Sequence, residues 1–233
     1  MTDSEEILER YRALCRAFNE ASPLPGGVTV LPVTKTVPAE RILCLKDAGV
    51  SAIGENRVQE AMEKREALNG AFETHIIGRT QTNKAKFVLR FAKMVQSLDR
   101  LELARALSRE AVRAGRTLDV LIEVNIGSDP AKAGVSEEDA PDFARECEKT
   151  EGLNVMGLMT VAPIVLNPED ARPYFRRMRA LFERLRDERP ENMRILSMGM
   201  SHDGLIAAQE GATMVRIGSG IFGQRTYPAE GAR

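Results

Sequence analysis

A lysine at the end of an apolar run is the first residue whose type and place could do chemistry. Residues 31–38 read LPVTKTVP, so Lys35 follows a short apolar segment, and a proline ends the stretch. An ammonium group that loses solvent at the end of a buried strand is pushed toward its neutral form, and a neutral amine forms an imine with an aldehyde. A lysine that reaches solvent from a strand end is the ordinary alternative, so Lys35 alone does not decide between the two.

Two glycine-rich turns in the last part of the chain could bind phosphate. Residues 198–204 read MGMSHDG, and residues 216–223 read RIGSGIFG. Each turn follows an apolar segment and offers backbone N–H groups and a hydroxyl, from Ser201 in the first and Ser219 in the second. Gly218 lets the backbone come close to a ligand. Ordinary tight turns are the alternative, and the position of the turns in the fold decides between the two interpretations.

The elements that position these residues alternate along the chain as strand and helix. Alternation of this kind predicts a parallel sheet. The predicted strands are 29–33, 50–54, 74–78, 94–98, 118–126, 153–161, 195–200 and 213–218. Eight units in 233 residues predict an α/β fold, a single (β/α)8 TIM-type barrel with an extra N-terminal helix that begins at Thr2 or Asp3. An open doubly wound sheet is the alternative, but no GxGxxG motif follows an early strand.

Closure of such a barrel would bring the lysine and the two turns together. Reactive groups lie at the carboxyl ends of barrel strands, and a phosphate site is frequent after strands seven and eight. In a closed barrel strand one lies beside strand eight. A phosphorylated aldehyde could therefore bridge Lys35 and the turns, and pyridoxal 5′-phosphate (PLP) is a molecule of this kind.

Arg216 is predicted to point into the same region, because it shares a strand face with Met214 and Gly218. A guanidinium group stays charged and cannot accept a proton. If Arg216 meets the pyridine nitrogen of PLP, the ring stays unprotonated and becomes a weaker electron sink than it would be beside a carboxylate. The alternative is a salt bridge, for example with Glu123.

Composition excludes several classes of protein. Lys and Arg number 33 and Asp and Glu number 34, so the net charge of −1 gives no support for binding nucleic acid. No apolar stretch approaches the roughly 20 residues of a membrane span, and the charged N-terminus is unlike a signal peptide. Three scattered cysteines predict a reducing compartment, and hence a cytoplasmic protein. We expect one domain over residues 1–233, with a flexible tail at 226–233.

Six ordered motifs resemble one known family. VTKTVP, GENRVQE, HIIG followed by Gln81, Asn83 and Lys84, GLMT, SMGMSHD and MVRIGSGIFG are together similar to the pyridoxal phosphate homeostasis proteins. The resemblance runs from about Val28 to Arg225. It implies a barrel like the N-terminal domain of alanine racemase, the type III fold of PLP proteins, without the second domain.

The resemblance also implies a role for six residues. Lys35 would form the Schiff base with PLP, and Asn56 of the GEN motif would lie near the cofactor. Ser201, Gly218 and Ser219 would bind its phosphate. Arg216 would face the pyridine ring.

Three functions are compatible with these residues. The expected one is a monomeric, non-enzymatic carrier that holds PLP, contacts PLP-dependent apo-enzymes transiently, and acts in intracellular PLP homeostasis. The second is a PLP-dependent amino-acid racemase, which needs a base on each face of the substrate carbanion. Tyr11, Tyr174, Tyr227, His75 and His202 supply no convincing second base. The third is an aldolase that uses Lys35 with Glu123 as acid and base.

Overall fold

Eight parallel strands form one sheet that curves into a barrel, in a computed structural model that describes residues 2–189 and 191–223. The strands run in the order β1-β8-β7-β6-β5-β4-β3-β2. They span Thr29–Pro32 (β1), Ala52–Glu55 (β2), Glu73–Ile76 (β3), Ala92–Leu98 (β4), Leu118–Glu123 (β5), Leu153–Met159 (β6), Ile195–Ser197 (β7) and Met214–Ile217 (β8). The predicted α/β barrel of eight strands is confirmed.

The barrel closes between its first and last strands in sequence. Pairing of β1 with β8 places Leu31 beside Arg216 and Pro32 beside Ile217. On the other side of β1, a parallel bridge joins Val33 to Gly54 at the end of β2. Lys35 therefore leaves the barrel rim between the ends of β2 and β8.

Helices cover the outside of the sheet. Those of the described residues span Asp3–Ala21 (α1), Ala39–Leu43 (α2), Val58–Leu68 (α3), Ala85–Val88 (α4), Leu101–Arg113 (α5), Ala140–Glu148 (α6), Arg172–Glu188 (α7), Gly204–Gln209 (α8) and Ser219–Phe222 (α9), with 3-10 turns at Cys44–Ala48, Thr82–Lys84 and Pro168–Ala171. The predicted extra helix is α1, which begins after Thr2 with a capping box that Glu5 completes. No helix in these ranges is long and apolar enough to cross a membrane.

Several predicted boundaries differ from the observed ones, and side chains explain two of the differences. Helical periodicity in the sequence predicts a helix over 82–92, but the helix ends at Val88, because Ala92 already belongs to β4 and Arg116 donates to the carbonyls of Leu89 (3.0 Å) and Ala92 (2.7 Å). The strand predicted over 118–126 ends at Glu123. Beyond it the Asn125 side chain exchanges two hydrogen bonds with the backbone of Asp129 and folds a loop.

The interior of the barrel is polar at one level. Along β8, Val215 and Ile217 belong to the core between strands and helices, whereas Met214 and Arg216 alternate with them and face inward. Strands β3, β4 and β7 contribute His75, Gln96 and Ser197 to the same buried level. A fold that buries a cation and three polar groups inside its barrel must hydrogen-bond all of them. The predicted tail, residues 226–233, lies outside the described residues.

Candidate functional site

All six residues that the sequence predicts for the site line one cavity of about 320 Å³ at the carboxyl ends of the strands. They follow or belong to β1, β2, β7 and β8. The residues are Lys35, Asn56, Ser201, Arg216, Gly218 and Ser219. The cavity thus combines an amine, an amide, two hydroxyls and a guanidinium, which is the set that a phosphorylated aldehyde requires.

The turn that carries Lys35 is held on both sides. Before the lysine, Thr34 is fully buried, its N–H donates to Gly54 O (2.9 Å), and its hydroxyl donates to Glu55 Oε1 (2.6 Å). After the lysine, Thr36 has φ +64°, a left-handed conformation that is unfavourable for a β-branched residue. The N–H of Thr36 donates to Glu60, which holds it in that conformation.

Lys64 on α3 connects these two anchors. Its ammonium donates to Thr34 O (2.6 Å), to Glu55 Oε1 (2.9 Å) and to Glu60 Oε1 (2.6 Å). Burial raises the pKa of Glu55, and the Thr34 hydroxyl and the Lys64 ammonium oppose that rise. Burial also acts to raise the pKa of Glu60, but Lys64 and the N–H of Thr36 outweigh it and lower the pKa. One ammonium therefore pairs with two carboxylates, and it holds the backbone before Lys35 directly and the backbone after it through Glu60.

The two glycine-rich turns meet at the opposite wall of the cavity. Asp203 accepts a hydrogen bond from Met200 N (2.6 Å) and so exposes Ser201 at the tip of the turn after β7. Gly220 N donates to Ser201 Oγ (3.3 Å), which joins the first turn to the second. Gly218 is the N-cap of α9, and the first backbone N–H groups of a helix have no partners within it.

Arg216 lies at the floor of the cavity and is buried. One terminal nitrogen donates to Ser197 Oγ and the other to Thr160 O, both at 2.7 Å. Burial lowers the pKa of Arg216 to about 10, while Glu123 and Asp203 act to raise it. The side chain thus stays protonated at neutral pH. Among the described residues, its hydrogen bonds are to neutral oxygens and not to Glu123, the example given for the alternative of a salt bridge.

A directed chain of hydrogen bonds extends from Arg216 across the barrel. Arg216 can only donate, so Ser197 Oγ accepts from it and sends its own proton to Gln96 Oε1 (2.7 Å). That orientation turns the Gln96 amide N–H toward His75 Nδ1 (3.0 Å). His75 must therefore accept at Nδ1 and carry its proton on Nε2. Burial agrees, because it lowers the pKa of His75 to about 4.

Glu123 lies outside the cavity of Lys35. It lines a separate cavity of about 210 Å³ with Asn125 and Lys132. Burial raises the pKa of Glu123 to about 7, Asp99 adds to that rise, and Arg216 and Arg79 oppose it. Within residues 2–189 and 191–223, its Oε2 has no hydrogen-bond partner. This placement does not support the aldolase interpretation, which required Glu123 beside the Lys35 amine.

Sequence reasoning missed the residues that support the site from behind. Lys64 and Glu60 carried no signal, because their spacing is that of a solvated helix face, and Glu55 at the end of β2 gave no sign of pairing with them. Ser197 and Gln96 could have been found as polar residues inside apolar strands. The remaining cavity wall comes from residues next to predicted motifs: Val33, Ile77, Val161, Met200 and His202.

Comparison with known proteins places the chain among PLP proteins. The family described as the alanine racemase N-terminal domain matches residues 5–226. A pyridoxal phosphate homeostasis protein from Aquifex aeolicus is 41% identical over 222 residues, which cover 95% of this chain and 96% of the relative.

Two solved structures share the fold at different levels of sequence identity. PipY of Synechococcus elongatus, with PLP bound, superposes with a TM-score of 0.80 at 30% identity and covers 93% of this chain and 99% of its own. Alanine racemase from Clostridium difficile is 18% identical, with a TM-score of 0.71 over 95% of this chain and 57% of the racemase. The second likeness is one of fold alone.

Replacement of Lys64 by methionine tests whether the supports of the Lys35 turn matter to the site. The variant removes three hydrogen bonds and leaves Glu55 buried without its cation. We expect the affinity for PLP to fall by about ten-fold, because the amine loses its fixed position. Fluorescence or absorbance titration with PLP measures the change.

Two further variants separate positioning from a general loss of stability. Lys149→Met removes an exposed ion pair with Glu146 and should leave PLP affinity unchanged. Lys64→Arg keeps a cation within reach of the same oxygens and should restore much of the affinity. Normal affinity in the Lys64→Met protein would show that the turn holds Lys35 without Lys64.

Proposed function

The chain belongs to the pyridoxal phosphate homeostasis proteins, within the family of the alanine racemase N-terminal domain, and we propose that it holds PLP as a Schiff base on Lys35. In this proposal the protein keeps reactive PLP bound and passes it on, without robust catalytic turnover. The observation that carries it is that one cavity is lined by an amine, two glycine-rich turns and a buried guanidinium.

The residues of the cavity fit the parts of PLP. A volume of about 320 Å³ suits a small cofactor. The hydroxyls of Ser201 and Ser219 and the backbone at Gly218 would hold the phosphate, as their positions in two linked turns support. Asn56 would lie against the bound ring. Arg216 would meet the pyridine nitrogen and keep it unprotonated, because a guanidinium can only donate hydrogen bonds. Each terminal nitrogen uses one N–H for Ser197 or Thr160 and has a second one for the ring.

A carrier is favoured over a racemase by what surrounds Lys35. Lys35, His202 and Arg216 are the titratable groups among the described residues that line the cavity. His202 is exposed, and Arg216 cannot serve as a base. Tyr11 and Tyr174 pack against the hydrophobic core on helices, and Tyr227 lies outside the described residues. Proton removal from a second face would therefore depend on a solvated histidine.

The cellular setting follows from the same residues. We propose a cytoplasmic protein, which the three free cysteines Cys15, Cys44 and Cys147 support. We also propose that it acts as a monomer and touches PLP-dependent apo-enzymes transiently. Exposure of Ser201, His202 and Ser219 at the cavity mouth would let a partner approach the bound cofactor.

The Schiff base is tested by its colour and by reduction. Purified protein supplied with PLP should absorb in the visible range, and borohydride should fix the cofactor on the peptide that contains Lys35. Lys35→Ala should lose both signals, and Lys46→Ala, on the outside of the barrel, should keep them. A colourless protein that stays colourless with added PLP would overturn the proposal.

Absence of turnover is tested by exchange at the α-carbon. Alanine incubated with the PLP-loaded protein in heavy water should neither racemise nor exchange its α-hydrogen at the rate of a dedicated racemase. His202→Ala should give the same result as the parent protein. Rapid exchange that disappears in His202→Ala would identify a second base and establish the racemase alternative.

The contact between Arg216 and the ring is tested by spectroscopy. Arg216→Glu supplies a carboxylate that stabilises a protonated pyridine nitrogen, so the absorption of bound PLP should shift. Arg216→Gln removes the guanidinium without adding a carboxylate and should not reproduce that shift. Thermal unfolding of both variants checks that the barrel is intact. Identical spectra for the glutamate variant and the parent protein would mean that Arg216 does not meet the ring nitrogen.

A further inference from the structure

A second cavity, of about 840 Å³, adjoins the first at the ends of β2, β3 and β4. The two cavities share Asn56. Eleven residues line the second one, and its cations are Arg57, Arg79, Lys84 and Arg100. All other lining residues but Val58 are neutral and polar, and none is acidic. Four cations therefore line one cavity in a chain whose net charge is −1, so positive charge is concentrated there.

Two nearby acids, Asp99 and Glu60, are already engaged. Asp99, whose side chain is 6% exposed, pairs closely with Arg100 and lies 3.9 Å from Arg79 Nε. Glu60, whose pKa Arg57 helps to lower, is held by Lys64 and by the N–H of Thr36. The buried carboxylate of Asp99 is thus shared by Arg79 and Arg100, and the cavity keeps an excess of positive charge.

The wall of this cavity is preformed. Arg100 donates to Thr80 O (2.7 Å), and Ser97 donates to Gly78 O (2.7 Å), so the end of β4 fixes the loop that follows β3. Gly78 lies so close to β2 that a Cβ atom there would come within 2.3 Å of Asn56 O. The 72% exposed Arg79 projects from this fixed loop toward solvent. The fixed loop thus presents the exposed guanidinium of Arg79 where a charged ligand can reach it.

We propose that this cavity binds a small polyanion, a molecule with at least two carboxylate or phosphate groups. Several cations without matching acids are stabilised by an anion of higher charge more than by a monoanion. The volume is in the range of sites for metabolite-sized ligands. The site is distinct from the phosphate-binding turns, which lie at β7 and β8, and its ligand would sit beside the bound cofactor at Asn56.

Calorimetric titration with tripolyphosphate and with citrate tests the site. The protein is loaded with PLP first, so that the cofactor occupies the phosphate-binding turns, and its absorbance is followed in the same samples. We expect saturable binding of at least one probe, weakened by added salt, and no measurable binding of acetate. The tighter probe tells whether phosphates or carboxylates are preferred.

Charge-removing variants locate the binding. Arg57→Gln combined with Arg79→Gln should weaken the polyanion by about ten-fold or more, with PLP absorbance unchanged. Arg113→Gln is the matched control, because Arg113 is a 79% exposed arginine on α5 that does not line the cavity, and it should have no effect.

Three results would overturn the proposal. They are no binding of either probe, equal weakening in the Arg113 variant, and loss of PLP absorbance as the probe is added, which would place the probe in the cofactor's phosphate turns. The proposed function fails separately, since it fails when no PLP absorbance is present before the titration begins.

Discussion

The parallel pairing of β1 with β8 is the contact on which the site depends. Its register places Pro32 beside Ile217, and Val33 N donates to Ile217 O (2.8 Å). The chain beyond that pair therefore carries Lys35 on one side and the turn at Gly218 on the other, at the same rim of the barrel. Side chains alternate along a strand, so a slip of one residue in β8 would turn Arg216 out of the barrel and put Ile217 in its place. The β1–β8 register thus sets the relative positions of the Lys35 amine, the turn at Gly218 and the Arg216 guanidinium.

The buried guanidinium is the costly element of this arrangement. A cation inside a barrel is tolerated only if its donors are satisfied, and Ser197 and Thr160 accept from both terminal nitrogens of Arg216. Because arginine only donates, it orders Ser197, Gln96 and His75 in one direction and leaves His75 neutral. The charge that faces the cavity is consequently fixed in both position and protonation state. A cofactor ring that meets it gains a hydrogen-bond donor but no source of a ring proton, which favours holding the cofactor over activating it.

Fold and site differ in how much of them could be read from the sequence. Alternation of apolar segments was enough to predict all eight strands, and strand ends pointed to Lys35, Arg216 and the two glycine-rich turns, because both are local or follow from barrel geometry. The role of Asn56 came only from the resemblance to a known family. The helix over 82–92 failed because helical periodicity does not show that Ala92 pairs with β3. The ammonium of Lys64 is 30 residues from Thr34 in sequence, and Arg216 is 19 from Ser197. Contacts of that kind depend on which strands become neighbours, and a single sequence carries no local pattern for them.

The two sides of the cavity differ: the Lys35 side is held rigidly, and the side of Ser201 and Ser219 is exposed. On the Lys35 side, Thr36 is held in a left-handed conformation that costs about 1–2 kcal/mol, and Glu60 and Lys64 supply the contacts that maintain it. On the other side, Ser201 and Ser219 are exposed to solvent. An amine held in a fixed place forms its bond to an aldehyde with little further ordering. In the proposed function, a phosphate held at this open rim would be accessible to water, and water that reached a Schiff base on Lys35 would hydrolyse it. Carbanion chemistry requires the reverse, a closed site from which water is excluded. Exposure of this rim is therefore the feature that supports the proposal of cofactor exchange over catalysis on an amino acid.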